Sequence, residues 1–566
     1  MQPSLPLSPD VNSHDKVTQF VLDYPEAELV FGVVYAIGTD YRPILDYLTD
    51  NIKLSGYAAH SLHISDWFAE GAERLGLMHR LPDEPEYDRI ASRIEAGNKI
   101  REKTRRQDIH ALTAASKIFS TRETDDQDNP MSHKRRAHIL VSLKRPEEVE
   151  TLRKIYGPGF FLIGIFADEA DRIDYLTNRK GLDRKQAQEL IEIDQKQTVE
   201  EYGQRTRDAF QMADLFVSVA EKEYEKGLRR FLRLVFGDPF ITPRRDEHAM
   251  FLAYAASLRS GDLARQVGAA LTCAEGDVIS LGCNDVPAPG GGLYCSDDGD
   301  NDQRDHKRKV DSNDVRKQEI IDDIILAFSK RFLPERDVDE ILQEGRALLK
   351  ETLVSEVTEF GRSVHAEMDA LIAAGRTGVS FNNSTLYTTT FPCHTCTRHI
   401  IAAGVCRVVY IEPYPKSLAK ELHSDAIKIG GEKENNGRIP FEPFLGIGPR
   451  RFFDLFSLKL SSGYAVERKL NGAILQWDQR RDSRPRVPMT PTSYLEREQL
   501  IHKTLNSIYS FKQDEHGSNV KTTGIASQDG SRVLEARRED GAPGRKLARM
   551  EDRRAGDSSA SGEERK

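Results

Sequence analysis

Two short motifs constrain this chain more than anything else in it. His365 and Glu367 stand two residues apart at the start of "HAEMDALIAAG", and 24 residues separate Glu367 from "PCHTCTRHIIAAG", which carries Cys393 and Cys396. Taken singly, each has an ordinary reading: Glu367 as a helix-surface carboxylate, His365 as a partly buried polar residue, the C-x-x-C as a redox pair or a structural metal knuckle. At this composition the combination arises by chance on the order of once in ten thousand. Between the motifs "TLYTTT" alternates as a strand, and "VCRVVYIE" reads as the strand after them. Proline at the start and glycine at the end mark the second motif as a helix. An order of helix, strand, helix, strand brings two helix N-termini to one sheet edge, where His365, Cys393 and Cys396 converge on one ion.

Zinc takes about four tetrahedral ligands, and a catalytic zinc keeps one position for water. Three protein donors leave that position open. The ion then acidifies the water, and a nearby carboxylate must shuttle protons, a task for which Glu367 is placed. The positive ends of the two helices favour Cys393 and Cys396 as thiolates. The remaining cysteines, Cys273, Cys283, Cys295 and Cys406, read as small packing residues. The acidic run Asp297 to Asp305 fails as a calcium loop, since counting from Asp298 the sixth position is Gln303 and the twelfth is Lys309.

A length of 566 residues predicts two or three domains. The longest apolar runs, Leu29 to Gly38 and Phe160 to Ala167, fall short of the roughly 18 residues a membrane span needs. Neither a basic leader nor an apolar signal opens the chain, and six cysteines suit a reducing compartment, so a cytoplasmic protein is expected. The net charge of -9 weighs against gripping a polyanion as the main task.

The N-terminal half opens with a strand near Glu28 to Ala36, a turn "IGTD" and a helix "YRPILDYLTDNI". A strand, glycine turn and helix can cradle a phosphate, and Gly32, Gly38 and Thr39 are the candidate nucleotide-binding residues. The Walker pattern is not met, because Thr39, Asp40 and Tyr41 follow Gly38 and no lysine does. With "AHILVSL" and "FFLIGIFADEADRIDYL" further on, residues Glu28 to Val219 resemble the P-loop nucleotide and nucleoside monophosphate kinase-like fold. The missing lysine favours a scaffold used for regulation or assembly over an active kinase.

Upstream of the metal motifs lies "AASLRSGDLARQVGAALTCAEGDVISLGCNDVP", a helix, a strand hairpin turning at "AEGD", and a loop at Asn284. With the two motifs it resembles the deoxycytidylate deaminases. That resemblance implies an α/β/α sandwich around a five-stranded sheet, Asn284 on the substrate's sugar, and phosphate contacts from Arg259, Ser260 and Gln266. The kinase-like half, the insert "RDHKRKVDSNDVRKQEIIDDI" and the continuation to Trp477 narrow the likeness to bacterial anti-phage dCTP deaminases. It implies Zn2+ as cofactor, no organic cofactor, and conversion of free deoxycytidine nucleotides (dCTP or dCMP) to deoxyuridine nucleotides. In that chemistry water adds to C4 of cytosine, Glu367 protonates N3 and then the amine, and ammonia leaves. A homo-oligomer, controlled by a regulatory RNA or a thymidine nucleotide, completes the expectation.

The expected organisation is α/β throughout. Residues 1–27 form an extension, 28–235 the kinase-like parallel sheet domain with its degenerate Walker loop, and 240–478 the deaminase domain with an insert at 285–350. A linker with a short helix occupies 479–512, and a disordered charged tail 513–566. Three other readings are open: a deaminase editing tRNA or single-stranded DNA, a nucleotide kinase with a supporting deaminase-like domain, and a nucleotide sensor with structural zinc.

Overall fold

In the computed structural model the described residues are 26–509 apart from 78–80, 197–200, 221–222, 351, 358, 414–416, 431–436, 460–463 and 465. The expected extension (but for its last residues) and charged tail lie outside them. Among the described residues no helix is long and apolar enough to cross a membrane.

The first half is built on β1 (Leu29–Tyr35), β2 (Ala58–His63), β3 (Arg136–Leu143), β4 (Phe160–Phe166) and β5 (Leu215–Ser218). These run parallel in the order β2-β3-β1-β4-β5. Near-continuous apolar sequences such as "LVFGVVY" suit strands covered on both faces, and every residue of β1 is buried. Helices α1 (Arg42–Leu54), α2 (Glu86–Thr104), α3 (Ile109–Phe119), α4 (Pro146–Tyr156), α5 (Glu169–Asp174) and α6 (Glu223–Val235) belong to this half.

The second sheet comprises β6 (Gly268–Thr272), β7 (Val278–Cys283), β8 (Thr385–Thr390), β9 (Arg407–Glu412), β10 (Ile427–Ile429) and β11 (Ile439–Pro443), in the order β10-β11-β9-β8-β6-β7. It has six strands where five were expected, because the segment after β9 adds β11 and β10 in parallel to its edge. The hairpin β6/β7 turns at the predicted "AEGD" and pairs antiparallel with β8. Side chains alternate with period two. Ala269, Leu271, Leu386 and Val408 face α10 (Ala366–Thr377) and α11 (His394–Ala403), while Ala270, Tyr387 and Val409 face α7 (Arg245–Ser257). The insert folds largely into α8 (Ser312–Phe332) and α9 (Val338–Leu349).

The two halves share a core rather than a hinge. Ala270, Tyr387 and Val409 join one buried cluster with Val30, Leu140 and Phe160 of the first sheet. A two-residue strand, β12 (Gly446–Ile447), then pairs antiparallel with β5 and extends the first sheet. The stretch expected as a linker is also tied down. Met489 is buried and fills the space at Gly159, and Arg486 donates to the carbonyls of Asp454 and Ser457. The helix after it, α12 (Pro491–Tyr509), lies against α3 and α4.

One expectation fails on packing. Gly32 lies within β1, not in a turn, and a Cβ there would stand 2.5 Å from Leu143 Cδ1 and 2.8 Å from Phe160 Cζ. Its role is close packing of the sheet's cover, not contact with a phosphate.

Candidate metal centre and its surroundings

The loop before α10 and the loop before α11 meet at one edge of the second sheet because β8 and β9 are parallel neighbours and α10 packs on α11. His365 is the N-cap of α10 and Cys393 the N-cap of α11. Helix α10 runs past Gly375 and stops at Gly378, whose φ of 73° makes it the left-handed cap.

His365, Cys393 and Cys396 place one donor atom each within 4.8 Å of one another. His365 Nδ1 lies 3.2 Å from Cys396 Sγ and 3.4 Å from Cys393 Sγ. These are close to the edges of a tetrahedron with metal bonds of about 2.0 to 2.3 Å, so the donor set fits zinc in both chemistry and spacing. Three donors leave a fourth position for a small ligand.

Electrostatics within the cluster follow from these contacts. The Cys396 thiol and the His365 ring beside it hold the Cys393 thiol down to about 3. In return the Cys393 thiolate lifts His365 to about 9, while burial opposes it. Cys396 is pushed up by its neighbour Cys393 and by burial. Glu367, on the first turn of α10, is 4% exposed and reaches Cys396 Sγ with Oε2 at 3.6 Å. Burial raises its carboxyl above the ordinary value, and the nearby His365 charge only partly offsets that.

The other expected site residues form the loop facing this edge. Ser260 Oγ donates to the Asn284 carbonyl at 2.6 Å, and Gln266 Nε2 donates to the Ser260 carbonyl at 2.8 Å. Asn284 accepts from the Val267 N–H at 2.7 Å and donates to the Arg265 carbonyl at 2.8 Å. One lone pair and one hydrogen of its amide are thereby spent on holding the loop. Arg259 is exposed.

Sequence reasoning missed a second layer. Ser363 Oγ donates to Asp262 at 2.7 Å, binding the loop to the segment that carries His365. Arg304 pairs with Asp302 at 2.7 Å and lies 3.6 Å from Asp285, which also accepts from the Gly261 and Val286 N–H groups. Asp302 belongs to the acidic run already rejected as a calcium loop, and Asp298 there caps its own turn through the Cys295 N–H. The pattern D-x-R was the signal available, and it says nothing without the fold.

Residues 243–412 match the family described as the cytidine and deoxycytidylate deaminase zinc-binding region. The match runs from the start of α7 to the end of β9 and contains His365, Glu367, Cys393 and Cys396. The deoxycytidylate deaminase of Enterobacteria phage T2 is 29% identical over 171 residues, covering 29% of this chain and 79% of that enzyme. Among solved structures, the dCMP deaminase of cyanophage S-TIM5 in complex with dCMP and dUMP aligns at 18% identity with a TM-score of 0.21, over 36% of this chain and 99% of that one. A gluconokinase from Sinorhizobium meliloti 1021 aligns at 14% identity and a TM-score of 0.20, over 37% of this chain and 95% of that one. By the family match, residues 243–412 carry a cytidine and deoxycytidylate deaminase zinc-binding region.

Proposed function

We propose that this protein hydrolyses the C4 amine of free deoxycytidine nucleotides, dCTP included, and that draining dCTP serves defence against phage. The single observation that carries the chemistry is Glu367, buried beside three converging metal donors and not itself one of them. His365, Cys393 and Cys396 would hold the ion, and a bound zinc would supply a Lewis acid that makes water a competent nucleophile near neutral pH. Glu367 takes a proton from the attacking water and delivers it to N3 as the oxygen bonds to C4. It then carries the second proton to the exocyclic nitrogen, the C4–N bond breaks, and ammonia leaves with a carbonyl at C4. A carboxyl lifted by burial suits both halves of this exchange.

A polyphosphate substrate is supported by the basic run His306 to Lys309, exposed and adjoining Gly261, against which the His306 ring packs. Asn284, Arg259 and Ser260 are the proposed contacts to sugar and phosphate. The test is ammonia release from CMP, dCMP, CTP and dCTP supplied separately to the purified chain. Release from the deoxynucleotides, with kcat/KM for dCTP reduced by Lys307→Ala and Arg308→Ala together, is expected. Activity confined to tRNA or single-stranded DNA would replace this reading with a polynucleotide editor.

A further inference from the structure

Asp285 fastens three segments of the deaminase domain to one another. Its main-chain N–H donates to the Val364 carbonyl at 3.3 Å, and its carbonyl accepts from the Val364 N–H at 2.9 Å. Its carboxylate accepts from the Gly261 N–H at 2.9 Å through Oδ2 and from the Val286 N–H at 2.8 Å through Oδ1. Each of the three segments carries a residue of the proposed site one position away. Asn284 precedes Asp285, Ser260 precedes Gly261, and His365 follows Val364.

The insert holds this carboxylate in place. Arg304 Nη1 lies 3.6 Å from Asp285 Oδ2, while Nε and Nη2 of the same guanidinium grip Asp302 at 2.7 to 3.1 Å. Asp285, Asp302 and Arg304 are 2%, 4% and 6% exposed. A Cβ on Gly261 would stand 3.1 Å from Arg304 Nη1 and 3.2 Å from His306 Cε1, so the chain entering the insert passes close over that loop. The chain leaving the insert is tied to the chain entering it. Arg362 donates to the Gln303 carbonyl at 2.9 Å and pairs with Asp305 at 2.6 Å, and Asn313 donates to the Val357 carbonyl at 3.0 Å. Helices α8 and α9 therefore stand on a root joined to all three segments. Two carboxylates and a guanidinium out of water are a costly way to gain stability, and apolar packing of the same volume often does as well or better. Such a group is better suited to fixing register, because moving one partner away leaves a buried charge uncompensated.

We infer that Asp285, held by Arg304, is a positioning residue that keeps the substrate loop, with Asn284 and Ser260, in register with the segment carrying His365, and that the root of the insert thereby belongs to the substrate site. This role rests on the deaminase reading of the zinc site, whereas the register itself is a property of the fold. His365 and Cys393 also cap α10 and α11, which pack on each other, so the metal position keeps its own support when the clasp is lost. The loop does not. A loop ordered before the nucleotide arrives spares the cost of ordering it on binding, and loss of that order raises KM while leaving kcat nearly unchanged.

The test combines steady-state kinetics with hydrogen–deuterium exchange on the full-length, zinc-loaded chain, using whichever of dCMP and dCTP the unaltered chain deaminates faster. Asp285→Asn and Arg304→Ala should each raise KM about tenfold or more, with kcat within about threefold and zinc still at one per chain. Arg304→Lys keeps the charge without the planar fork and should recover part of the loss. Exchange in peptides spanning 259–267 and 362–366 should quicken in the first two variants. Arg346→Ala, which breaks the pair with Asp322 between α8 and α9, should change neither readout. A thermal melt reports whether Arg304→Ala is folded; if it is not, Asp285→Asn and Arg304→Lys decide. KM unchanged in Asp285→Asn and Arg304→Lys with exchange at 362–366 also unchanged overturns the inference. So does a joint fall of kcat and melting temperature at constant KM, which marks the group as structural only. Turnover of no nucleotide by the unaltered chain ends the deaminase reading instead, and the exchange rates then decide the register on their own.

Discussion

Glu367 and Cys396 meet at 3.6 Å with both side chains buried, although one is the proposed proton carrier and the other a metal donor. The contact places the carboxyl beside the metal position without making it a ligand. Replacing Glu367 with Gln keeps the shape and removes the exchangeable proton. Ammonia release should fall by about two to four orders of magnitude with zinc content unchanged, as read by elemental analysis beside a coupled assay. Normal turnover in that variant would sink the role assigned to Glu367.

Cys393→Ala should act through the metal instead. Its thiolate is the donor that caps α11, accepting from the Cys396 N–H at 3.4 Å, and its loss leaves two protein ligands. Zinc per chain is expected to drop well below one after gel filtration against a weak chelator, and activity should vanish in proportion. Zinc retained at full stoichiometry would show that the ion sits elsewhere.

Gly282 governs how closely α10 rides on β7. A Cβ at that position would lie 2.2 Å from the Ala366 carbonyl oxygen and 2.5 Å from the Ala370 nitrogen, both backbone atoms of the helix carrying Glu367. Gly282→Ala must push the helix away, at a cost of about 1 to 3 kcal/mol. Displacement by about 1 Å should lower kcat on the order of a hundredfold. Gly375→Ala, on the open side of the same helix where nothing lies within 4 Å, should be neutral or stabilising by about 0.5 to 1 kcal/mol. Equal losses in the two variants would remove the packing explanation.

The difference between what the sequence revealed and what it hid follows from distance along the chain. His365, Glu367, Cys393 and Cys396 were readable because helix capping and strand alternation are local, and the 24-residue spacing holds one strand between two helix starts. The parallel strands of the first half were readable as apolar runs. The burial of Lys144 was not, since a lysine after a strand looks like any surface lysine until the bulge at Ser142 turns it inward. Gly32 misled because a glycine near a turn and a glycine inside a covered strand look alike in sequence. The sixth strand of the second sheet and the return of β12 to the first depend on segments too short to carry a period.

Arg122 exemplifies the hidden class, with partners 94 and 376 residues away. It bonds Glu28 at 2.8 Å and Glu498 at 2.5 Å, all three side chains being at most 1% exposed, and so fastens α12 to the start of β1. Arg122→Met leaves two carboxylates buried without their cation. The expected loss is about 3 to 5 kcal/mol in urea denaturation. The triple change with Glu28→Gln and Glu498→Gln should recover part of it, since those amides no longer need a counter-charge.

Acid should weaken the same half of the molecule through two buried histidines. His110, bonded to the Gly97 carbonyl at 3.1 Å, and His138, bonded to Glu28 at 3.1 Å, are both buried. Burial holds both rings below the ordinary value of 6.5, with the Arg101 charge adding to the effect at His110 and Glu28 opposing it at His138. A depressed histidine is neutral in the folded chain while the unfolded chain takes up a proton from about pH 6.5 downward, so folding stability is complete above that pH and declines below it. The slope is on the order of 1 kcal/mol per pH unit for each ring. Urea midpoints measured at pH 7.5 and pH 5 should therefore differ, with the lower value at pH 5. His110→Gln, which cannot take up a proton, should flatten the difference between the two midpoints, and a difference that survives undiminished would assign the acid sensitivity to other groups.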